Sequence, residues 1–235
     1  MPTALITGAS RGIGRRTAEL LSDRGWDLLL TARSGDELES LATRLRTSSR
    51  VVATAAVDLT SPSEIQPAFA GLMSKGEPPS VLINNAGAAY TGDLLAMPLE
   101  RWQWLLQLNL TSVMQVCSAV VPSMRPQGGL VINVSSHAAR NAFPQWGAYC
   151  ITKAALASFT RCLAEEERGN GIRACTLTLG AVNTPLWDAE TVQSDFDRRA
   201  MLSVDQAAEA LVNLVEQPSN QVIEDLTLMP AAGAF

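Results

Sequence analysis

The chain has 235 residues, of which 47% are hydrophobic and 17% charged, and its net charge is −5. This length suits one substantial core better than two ordinary domains, so we expect a single domain over residues 1–235. The acidic balance, without any cluster of Lys or Arg, argues against a phosphate-backbone or anionic-membrane surface. We therefore expect neither nucleic acid nor a membrane as a partner.

The N-terminus and the cysteines favour a cytoplasmic protein without a metal site. Residues 1–7 lead directly into a predicted strand, without the basic region and apolar core of a secretory signal. No stretch approaches the roughly 20 apolar residues that span a bilayer. His137 is the single histidine, so a Cys/His metal site has too few ligands. The cysteines, which we expect to be reduced and mostly buried, are Cys117, Cys150, Cys162 and Cys175.

Short apolar segments alternate with longer segments of helical periodicity along the whole chain. This alternation predicts an α/β fold, with a seven-stranded parallel sheet covered by helices on both faces. The predicted strands are 3–7, 27–32, 50–57, 80–84, 129–134, 171–177 and 223–229. The predicted helices are 13–24, 36–46, 63–75, 99–124, 147–168 and 204–216, with Ser34, Ser61 and Ser203 as candidate N-caps.

A glycine-rich turn follows the first predicted strand, in the order Thr7-Gly8-Ala9-Ser10-Arg11-Gly12-Ile13-Gly14. Glycines let the backbone turn sharply, approach a phosphate group and pack a helix against a strand. The N-terminus of the following helix supplies free N–H groups for an anion. The spacing G-x-x-x-G-x-G resembles the short-chain dehydrogenase/reductase family. That resemblance implies a doubly wound Rossmann fold, with strand order 3-2-1-4-5-6-7, that binds a nicotinamide dinucleotide.

The end of the second predicted strand bears on the choice of cofactor. NAD-preferring enzymes place an acid here, which would repel a 2′-phosphate. Ala32 stands where we expect that acid, and Arg33 beside it offers a guanidinium suited to phosphate. Arg11 and Ser10 can reach the same pocket from the glycine turn. The pattern predicts NADP(H), the alternative being that both arginines are solvated surface charges.

Three further segments resemble the same family. Asp58, followed by Leu59, resembles the residue that hydrogen-bonds the adenine amine, although a helix-capping aspartate is an alternative. The segment Asn84-Asn85-Ala86-Gly87 resembles the motif that braces the central sheet beside the cofactor. Asn109, in the predicted helix 99–124, resembles the residue that holds a water in a proton relay behind a lysine. For each asparagine alone, a turn or a satisfied interior amide is the alternative.

Tyr149 and Lys153 are four residues apart, which places the phenol and the ammonium on one face of a predicted helix. A fixed ammonium lowers a tyrosine pKa that is otherwise about 10. Ser136 follows a predicted strand at the sheet edge where ligand clefts form. Its hydroxyl can hydrogen-bond a carbonyl oxygen as charge develops, whereas Ser135 should point to the opposite face. The resemblance implies that these residues, with Asn109, are catalytic.

The segment Leu179-Gly180-Ala181-Val182-Asn183-Thr184 resembles the family's P-G-x-V-x-T loop over the nicotinamide. Leucine replaces the proline, which frees a backbone dihedral and adds an N–H, so we expect a more mobile loop. Residues 185–202 are the least regular stretch and are expected on the substrate side, together with 88–95 and 138–146. Aromatic residues here favour a modest apolar carbonyl compound, and they are Phe143, Trp146, Trp187 and Phe196.

Together these motifs imply an oxidoreductase that reduces a carbonyl compound to an alcohol, with Tyr149 as the general acid and base. The residues that the resemblance assigns to NADP(H) are Gly8, Ser10, Arg11, Gly12, Ile13, Gly14, Arg33, Asp58, Leu59, Asn85, Ala86, Gly87, Tyr149, Lys153, Gly180, Val182 and Thr184.

Two alternatives remain open. A 3-oxoacyl group on an acidic carrier protein could be the substrate, and a basic patch including Arg125, Arg140 and Arg168 would then be needed. The chain could instead be a non-catalytic dinucleotide-binding regulator, because fold does not fix function.

A homo-oligomer, tetramer or dimer, is expected through helices 99–124 and 147–168, because both carry apolar residues on more than one face. These residues are Trp102, Trp104, Leu105, Val113, Val116, Ile151, Leu156, Phe159 and Leu163.

Overall fold

A computed structural model describes residues 1–47 and 50–233 of the chain. The strands are β1 (Thr3–Thr7), β2 (Asp27–Ala32), β3 (Val52–Ala56), β4 (Val81–Asn84), β5 (Gly129–Ser136), β6 (Ile172–Leu179) and β7 (Asp225–Leu228). They form one sheet in the order β3-β2-β1-β4-β5-β6-β7, which confirms the predicted topology. All neighbouring strands are parallel, so each connection has to cross over the sheet.

Helices cover both faces of the sheet, as predicted. They are α1 (Gly12–Asp23), α2 (Gly35–Leu45), α3 (Pro62–Met73), α4 (Leu99–Leu106), α5 (Ser112–Met124), α6 (Gly147–Glu167) and α7 (Val204–Val215). On one face, α1, α2 and α7 pack in one core, and on the other face α3, α5 and α6 pack in a second core. Alternation along β1 sends Ile6 into the first core and Leu5 into the second.

Helices α4 and α5 are continuous through a π-helical turn, Gln107–Thr111, in which the Ser112 N–H donates to the Gln107 carbonyl. By length and composition, the combined helix Leu99–Met124 could cross a membrane, contrary to the expectation that no stretch comes close. It is a core helix of this fold, because Val113, Val116 and Val120 are buried against the sheet.

Five strands differ in extent from the prediction, and of these β4 and β7 are slightly shorter than expected. Strand β3 stops at Ala56, so Asp58 lies beyond it rather than closing it. Strands β5 and β6 extend beyond their predicted ends, to Ser136 and Leu179. The prediction ended each strand earlier because Ser135 and Thr178 interrupt the apolar residues. In the sheet Leu179 pairs with both Ser136 and Leu228, because the pairing of main-chain groups does not depend on side-chain polarity.

The three candidate caps all occupy N-cap positions, but only one uses its side chain. Ser34 and Ser61 precede α2 and α3 without a side-chain cap hydrogen bond. The Ser203 hydroxyl accepts a hydrogen bond from the Gln206 N–H at 3.1 Å, and the Gln206 side chain accepts one from the Ser203 N–H at 2.8 Å. This capping box gives α7 a defined start beside the first core.

Several residues that suggested an oligomer interface are part of the chain's own core. The expectation that they form an extra apolar face is wrong for four of them, because the helices pack on each other as well as on the sheet. Those four, each at most 4% exposed, are Leu105, Val113, Val116 and Leu156. Outward-facing apolar side chains on the same helices are Met114 and Ile151, which are 45% and 42% exposed.

The glycine turn brings α1 unusually close to β1. Gly8 has a φ of +66°, and a Cβ there would lie 2.9 Å from the Cα of Ala86. A Cβ on Gly14 would overlap the carbonyl oxygen of Gly8 and lie 2.5 Å from Asn85 Nδ2. Only glycine therefore permits this packing of the helix start against the ends of β1 and β4.

We expect Gly14→Ala to lower the free energy of unfolding by about 2 kcal/mol, because the added methyl group forces backbone atoms apart. Gly71→Ala is the matched control, since Gly71 lies inside α3 and a Cβ there would meet no atom within 4 Å. That change should raise stability by about 0.5–1 kcal/mol through helix propensity. Urea unfolding followed by circular dichroism measures both, and equal effects of the two changes would contradict the close approach.

Candidate active site

A cleft of about 760 Å³ runs along the carboxyl ends of the strands, from the glycine turn to the N-terminal half of α6. Parallel sheets place ligand clefts at this edge. Two predicted site residues, Gly14 and Asn109, lie behind its wall. All the others line it, and they are Gly8, Ser10, Arg11, Gly12, Ile13, Arg33, Asp58, Leu59, Asn85, Ala86, Gly87, Ser136, Tyr149, Lys153, Gly180, Val182 and Thr184.

The glycine-turn end of the cleft is suited to an anion. Arg11 is the N-cap of α1 and makes no side-chain cap hydrogen bond, and the first turn of α1 contains no acidic residue. The N–H groups of that turn are therefore available to a ligand. Arg11 and Arg33 are both exposed, and within the described residues neither guanidinium forms an ion pair.

Sequence reasoning missed Glu37, which also lines the cleft. It lies in the first turn of α2, where acidic residues favour the helix dipole, and it is exposed. Its position four residues after Arg33 was the available signal, because the strand-to-helix turn brings both to one end of the cleft. An acidic residue therefore does accompany Arg11 and Arg33 in the cleft, although it lies on α2 and not at position 32.

Asp58 is not the helix cap that the alternative interpretation expects, because Ser61 is the N-cap of α3. The Asp58 Oδ1 accepts hydrogen bonds from the Thr60 N–H at 2.9 Å and the Thr60 hydroxyl at 2.8 Å, as a turn-capping aspartate does. The residue also lines the cleft beside Leu59. The turn fixes the carboxylate at the cleft wall.

The Asn85 side chain joins the ends of β4 and β1. Its Nδ2 donates to the carbonyl oxygens of Thr7 and Gly8, at 3.0 and 3.2 Å. In return, the Thr7 hydroxyl accepts hydrogen bonds from the N–H groups of Asn85 and Ala86, at 3.0 and 3.1 Å. These four bonds brace the sheet beside the cleft, as the motif predicts. Asn84 lies deeper and donates to Asn133 Oδ1 at 2.8 Å.

Asn109 occupies the π-helical turn and is 1% exposed. Its amide accepts a hydrogen bond from the Ala88 N–H at 3.0 Å and donates to the Ala88 carbonyl at 2.9 Å. It also donates to the Thr152 hydroxyl at 3.0 Å, one residue before Lys153. A Cβ on Gly87 would lie 3.3 Å from Asn109 Oδ1 and 3.6 Å from Lys153 Nζ. The Asn109 amide and the Lys153 ammonium therefore both lie close to the Cα of Gly87, which carries no side chain.

Strand β5 and helix α6 bring the three predicted catalytic side chains to one wall of the cleft. Ser136 is half-buried and its Oγ accepts a hydrogen bond from the Ala138 N–H at 3.2 Å. Ser135, its rival, is 4% exposed and donates to the Lys153 carbonyl at 3.3 Å. Both serines line the cleft, contrary to the expectation that they point to opposite faces, but the Ser135 hydroxyl is engaged with the Lys153 carbonyl.

Burial governs the protonation of Tyr149 and Lys153. It raises the pKa of Tyr149 to about 12, while the Ser136 hydroxyl acts in the opposite direction. It lowers the pKa of Lys153 to about 8. Lys153 Nζ lies 5.8 Å from the centre of the Tyr149 ring and donates to the Val134 carbonyl at 2.9 Å. The expected lowering of the tyrosine pKa by the ammonium is thus outweighed here by desolvation.

The loop after β6 is held on several sides rather than loose. Leu179 is 4% exposed and belongs to the strand, and Gly180 N–H donates to the Leu228 carbonyl at 2.8 Å. Arg198 Nε donates to Asn183 Oδ1 at 2.7 Å, and its Nη2 donates to the Thr184 carbonyl at 3.2 Å. The structure therefore gives no support to the expected mobility of this loop.

Residues 185–202, which we call the substrate-side segment, cover the catalytic end of the cleft. Thr191 Oγ1 donates to the Ala89 carbonyl at 2.8 Å, and the Thr91 N–H donates to the Thr191 carbonyl at 2.9 Å. The Trp187 indole donates to the Val182 carbonyl at 2.8 Å. The segment is thereby tied both to the loop after β4 and to the loop after β6.

Three aromatic side chains line the cleft near Tyr149, namely Trp187 and Phe196 from this segment and Trp146 from the start of α6. The ring centre of Trp146 lies 5.7 Å from Tyr149, 5.5 Å from Trp187 and 6.4 Å from Phe196. Trp187 and Phe196 are 5.6 Å apart. We call these four residues the aromatic cluster. All four are half-buried and line the cleft.

Backbone strain precedes Trp146. Gln145 has a φ of 67°, and among the described residues it is the one non-glycine residue with a positive φ. Such a conformation costs of order 1 kcal/mol and persists where the surroundings enforce it. Here the Gln145 carbonyl accepts a hydrogen bond from the Gly92 N–H at 2.8 Å. No sequence pattern signalled this feature.

His137, whose role the sequence leaves open, lines the cleft next to Ser136. Its Nε2 lies 2.8 Å from Asn141 Nδ2, and its ring centre lies 6.2 Å from that of Phe143.

Within residues 1–47 and 50–233, no group of three or more His, Cys, Asp or Glu side chains is placed to hold a metal ion. All four cysteines are free thiols. Cys117 and Cys175 are buried, Cys150 is half-buried and Cys162 is exposed, so the expectation of mostly buried thiols holds for two of the four.

Comparisons with known proteins agree with this geometry. A family model described as short chain dehydrogenase matches residues 2–195. The chain is 30% identical to serine 3-dehydrogenase of Rhizobium radiobacter, over 99% of this chain and 95% of that protein. An alcohol dehydrogenase from the archaeon Thermococcus sibiricus, complexed with 5-hydroxy-NADP, superposes with a TM-score of 0.90 at 28% identity, covering 98% of this chain and 97% of that chain. L-Sorbose reductase from Gluconobacter frateurii, complexed with NADPH and L-sorbose, superposes with a TM-score of 0.87 at 27% identity, covering 97% of this chain and 95% of that chain.

We expect Asn109→Ala to lower the free energy of unfolding by about 3 kcal/mol, because it leaves buried groups of Ala88 and Thr152 without their partner. Asn213→Ala is the control, since Asn213 is exposed on α7 and its loss should change stability by less than about 0.5 kcal/mol. Urea unfolding measures both. A loss below about 1 kcal/mol for Asn109→Ala would show that these hydrogen bonds do not hold the site.

Proposed function

Because the chain belongs to the short-chain dehydrogenase/reductase family and is an NAD(P)-dependent oxidoreductase acting on CH–OH groups, we propose that it reduces a carbonyl compound to an alcohol with NADPH. The observation that carries this proposal is the convergence of Ser136, Tyr149 and Lys153 on one wall of the cleft. With Asn109 behind them, these are the proposed catalytic residues.

The cleft fits a dinucleotide. Its glycine turn leaves no room for side chains where α1 meets β1. The first turn of α1 has no side-chain cap hydrogen bond and no acidic residue. Gly8 and Gly12 would hold the pyrophosphate, Asp58 the adenine, and the loop from Gly180 to Thr184 the nicotinamide. When bound, NADPH supplies the hydride that the carbonyl carbon receives.

Tyr149 supplies the proton in the direction of reduction. With a pKa raised to about 12, the phenol is fully protonated at neutral pH and can donate to the forming alkoxide. Ser136 orients the carbonyl oxygen through its hydroxyl, which faces the cleft. Lys153 is close enough to stabilise the phenolate that remains, and Asn109 lies on the route that returns a proton towards Lys153.

We expect Tyr149→Phe to reduce kcat at least a hundredfold while the Kd for NADPH stays within about twofold, because only the transferable proton is removed. The matched control is Tyr90→Phe, since Tyr90 is the only other tyrosine and does not line the cleft. It should keep wild-type kcat. NADPH absorbance measures turnover, and fluorescence titration measures binding. More than a few per cent of the wild-type rate in the Tyr149 variant would show that another group is the acid.

The preference for NADP(H) is part of the proposal. Arg11 and Arg33 line the glycine-turn end of the cleft, and Ala32 is uncharged. Both guanidiniums are exposed and free of ion pairs within the described residues, so they can meet a 2′-phosphate without losing another partner. Glu37 opposes them, but it is solvent-exposed and its repulsion is screened.

NADPH should exceed NADH by at least tenfold in kcat/KM, because each charge-assisted contact contributes about 1.5–3 kcal/mol. Ala32→Asp combined with Arg33→Ala should reverse the preference, and Glu37→Gln should increase it. Arg161→Ala serves as the control, since Arg161 is exposed on α6 and away from the cleft lining. Steady-state rates with NADPH and with NADH give the ratio of kcat/KM for the unmodified protein and each variant. Equal or better use of NADH by the unmodified protein would refute the assignment.

The two alternative functions, reduction of a 3-oxoacyl group on a carrier protein and non-catalytic regulation, are less well supported. Each arginine of the expected carrier-docking patch is engaged, Arg125 with Glu167 at 2.6 Å and Arg140 with Asp225 at 2.6 Å. Arg168 likewise pairs with Glu165. An acidic carrier would have to compete for them. A non-catalytic regulator needs no half-buried tyrosine and buried lysine beside a cleft-facing serine.

We further propose a single catalytic domain in the cytoplasm that acts on a small molecule. A homo-oligomer, tetramer or dimer, remains a prediction. What supports it is the exposure of Met114 and Ile151 on the outer faces of α5 and α6.

A further inference from the structure

The aromatic cluster allows the substrate class to be narrowed, an inference that rests on the proposed carbonyl reduction. Trp146, Trp187 and Phe196 face the cleft beside Tyr149, instead of packing inside either core of the sheet. Aromatic side chains that are half-buried around a cavity are characteristic of ligand pockets. The strained backbone at Gln145 and its bond from Gly92 hold Trp146 in this position.

The charges near this end of the cleft disfavour an anionic substrate. Arg11 and Arg33 line the glycine-turn end of the cleft, and among the other described lining residues Lys153 is the only lysine or arginine. Its Nζ is buried and already donates to the Val134 carbonyl. Arg198 is close to the segment but commits its guanidinium to Asn183, Thr184 and Asp188. A substrate carboxylate would therefore lack a free cation.

Two threonine hydroxyls of the substrate side are similarly engaged, which disfavours a polyhydroxylated substrate. Thr191 Oγ1 donates to the Ala89 carbonyl, and Thr184 Oγ1 accepts from the Leu186 N–H. A sugar placed against the aromatic cluster would leave several hydroxyls unpaired, and each unpaired buried group is unfavourable. Glu190 also lines the cleft, but it is exposed and cannot act as a desolvated counterion for a cationic substrate.

We propose that the substrate is an uncharged aldehyde or ketone that carries an aromatic ring, with the ring against Trp146 and the carbonyl oxygen towards Tyr149. Ring contacts with Trp146, Trp187 and Phe196 then select the substrate, while Ser136 and Tyr149 act on its carbonyl. Trp146 has the central position, because its ring contacts each of the other three members of the cluster.

The test compares phenylacetone with cyclohexylacetone. The two ketones have similar size and unconjugated carbonyls, so their intrinsic reactivities are alike. We expect kcat/KM to favour phenylacetone about three- to tenfold, the range of an aromatic pair contact. Trp146→Leu should bring the ratio close to one, and Trp146→Phe should restore it. A general structural defect would lower both rates and leave the ratio unchanged.

A binding measurement separates this inference from the proposed function. Calorimetry on the Tyr149→Phe variant with NADP⁺ should show the same preference for phenylacetone without turnover. If the variant shows that preference but the unmodified protein reduces neither ketone, carbonyl reduction is wrong and the ring pocket stands. Equal rates and equal affinities for the two ketones would overturn the aromatic inference alone. Better kcat/KM with L-sorbose, L-serine or a trimethylammonium ketone would overturn it as well.

Discussion

The hydrogen bonds between Asn85 and the end of β1 are the interaction on which the site depends. They join two neighbouring strands at their carboxyl ends, and they sit directly beneath the close approach of Gly14 to Gly8. Because the amide fills the space that any larger residue at position 14 would need, the glycine turn and the Asn85 motif require each other. The phosphate-binding end of the cleft is therefore a property of both segments together.

The catalytic end is organised by buried polar contacts of the same kind. Asn109 lies in the π-helical turn and contacts Ala88 and Thr152 from there, and such turns are frequent at functional sites. Through these contacts the loop after β4, the long helix and α6 share one fixed arrangement. Burial in that arrangement keeps Tyr149 protonated and makes Lys153 a weaker base than a surface lysine.

The substrate side is built differently, from a segment that has little regular structure. It is positioned by hydrogen bonds from Thr191 to the loop after β4 and from Trp187 to the loop after β6. Arg198 adds hydrogen bonds to Asn183, Thr184 and Asp188. Such tethers fix the backbone while the side chains between them determine shape and polarity. Two of those side chains, Trp187 and Phe196, are aromatic and lie in contact with each other and with Trp146.

Sequence periodicity determined the seven strands and the helices. The resemblance of the glycine spacing to a known family supplied the order of the strands in the sheet, which is one of the few orders that connected parallel strands allow. The spacing of the glycines, Tyr149 and Lys153 also determined part of the cleft lining, since local geometry places those residues on one edge or one helix face. Tertiary structure decided the rest. It buried Leu105 and Val113, brought Glu37 to the cofactor end, forced Gln145 to a positive φ and gathered Trp146, Trp187 and Phe196 around Tyr149. These outcomes depend on contacts between residues far apart in the chain, which no local pattern encodes.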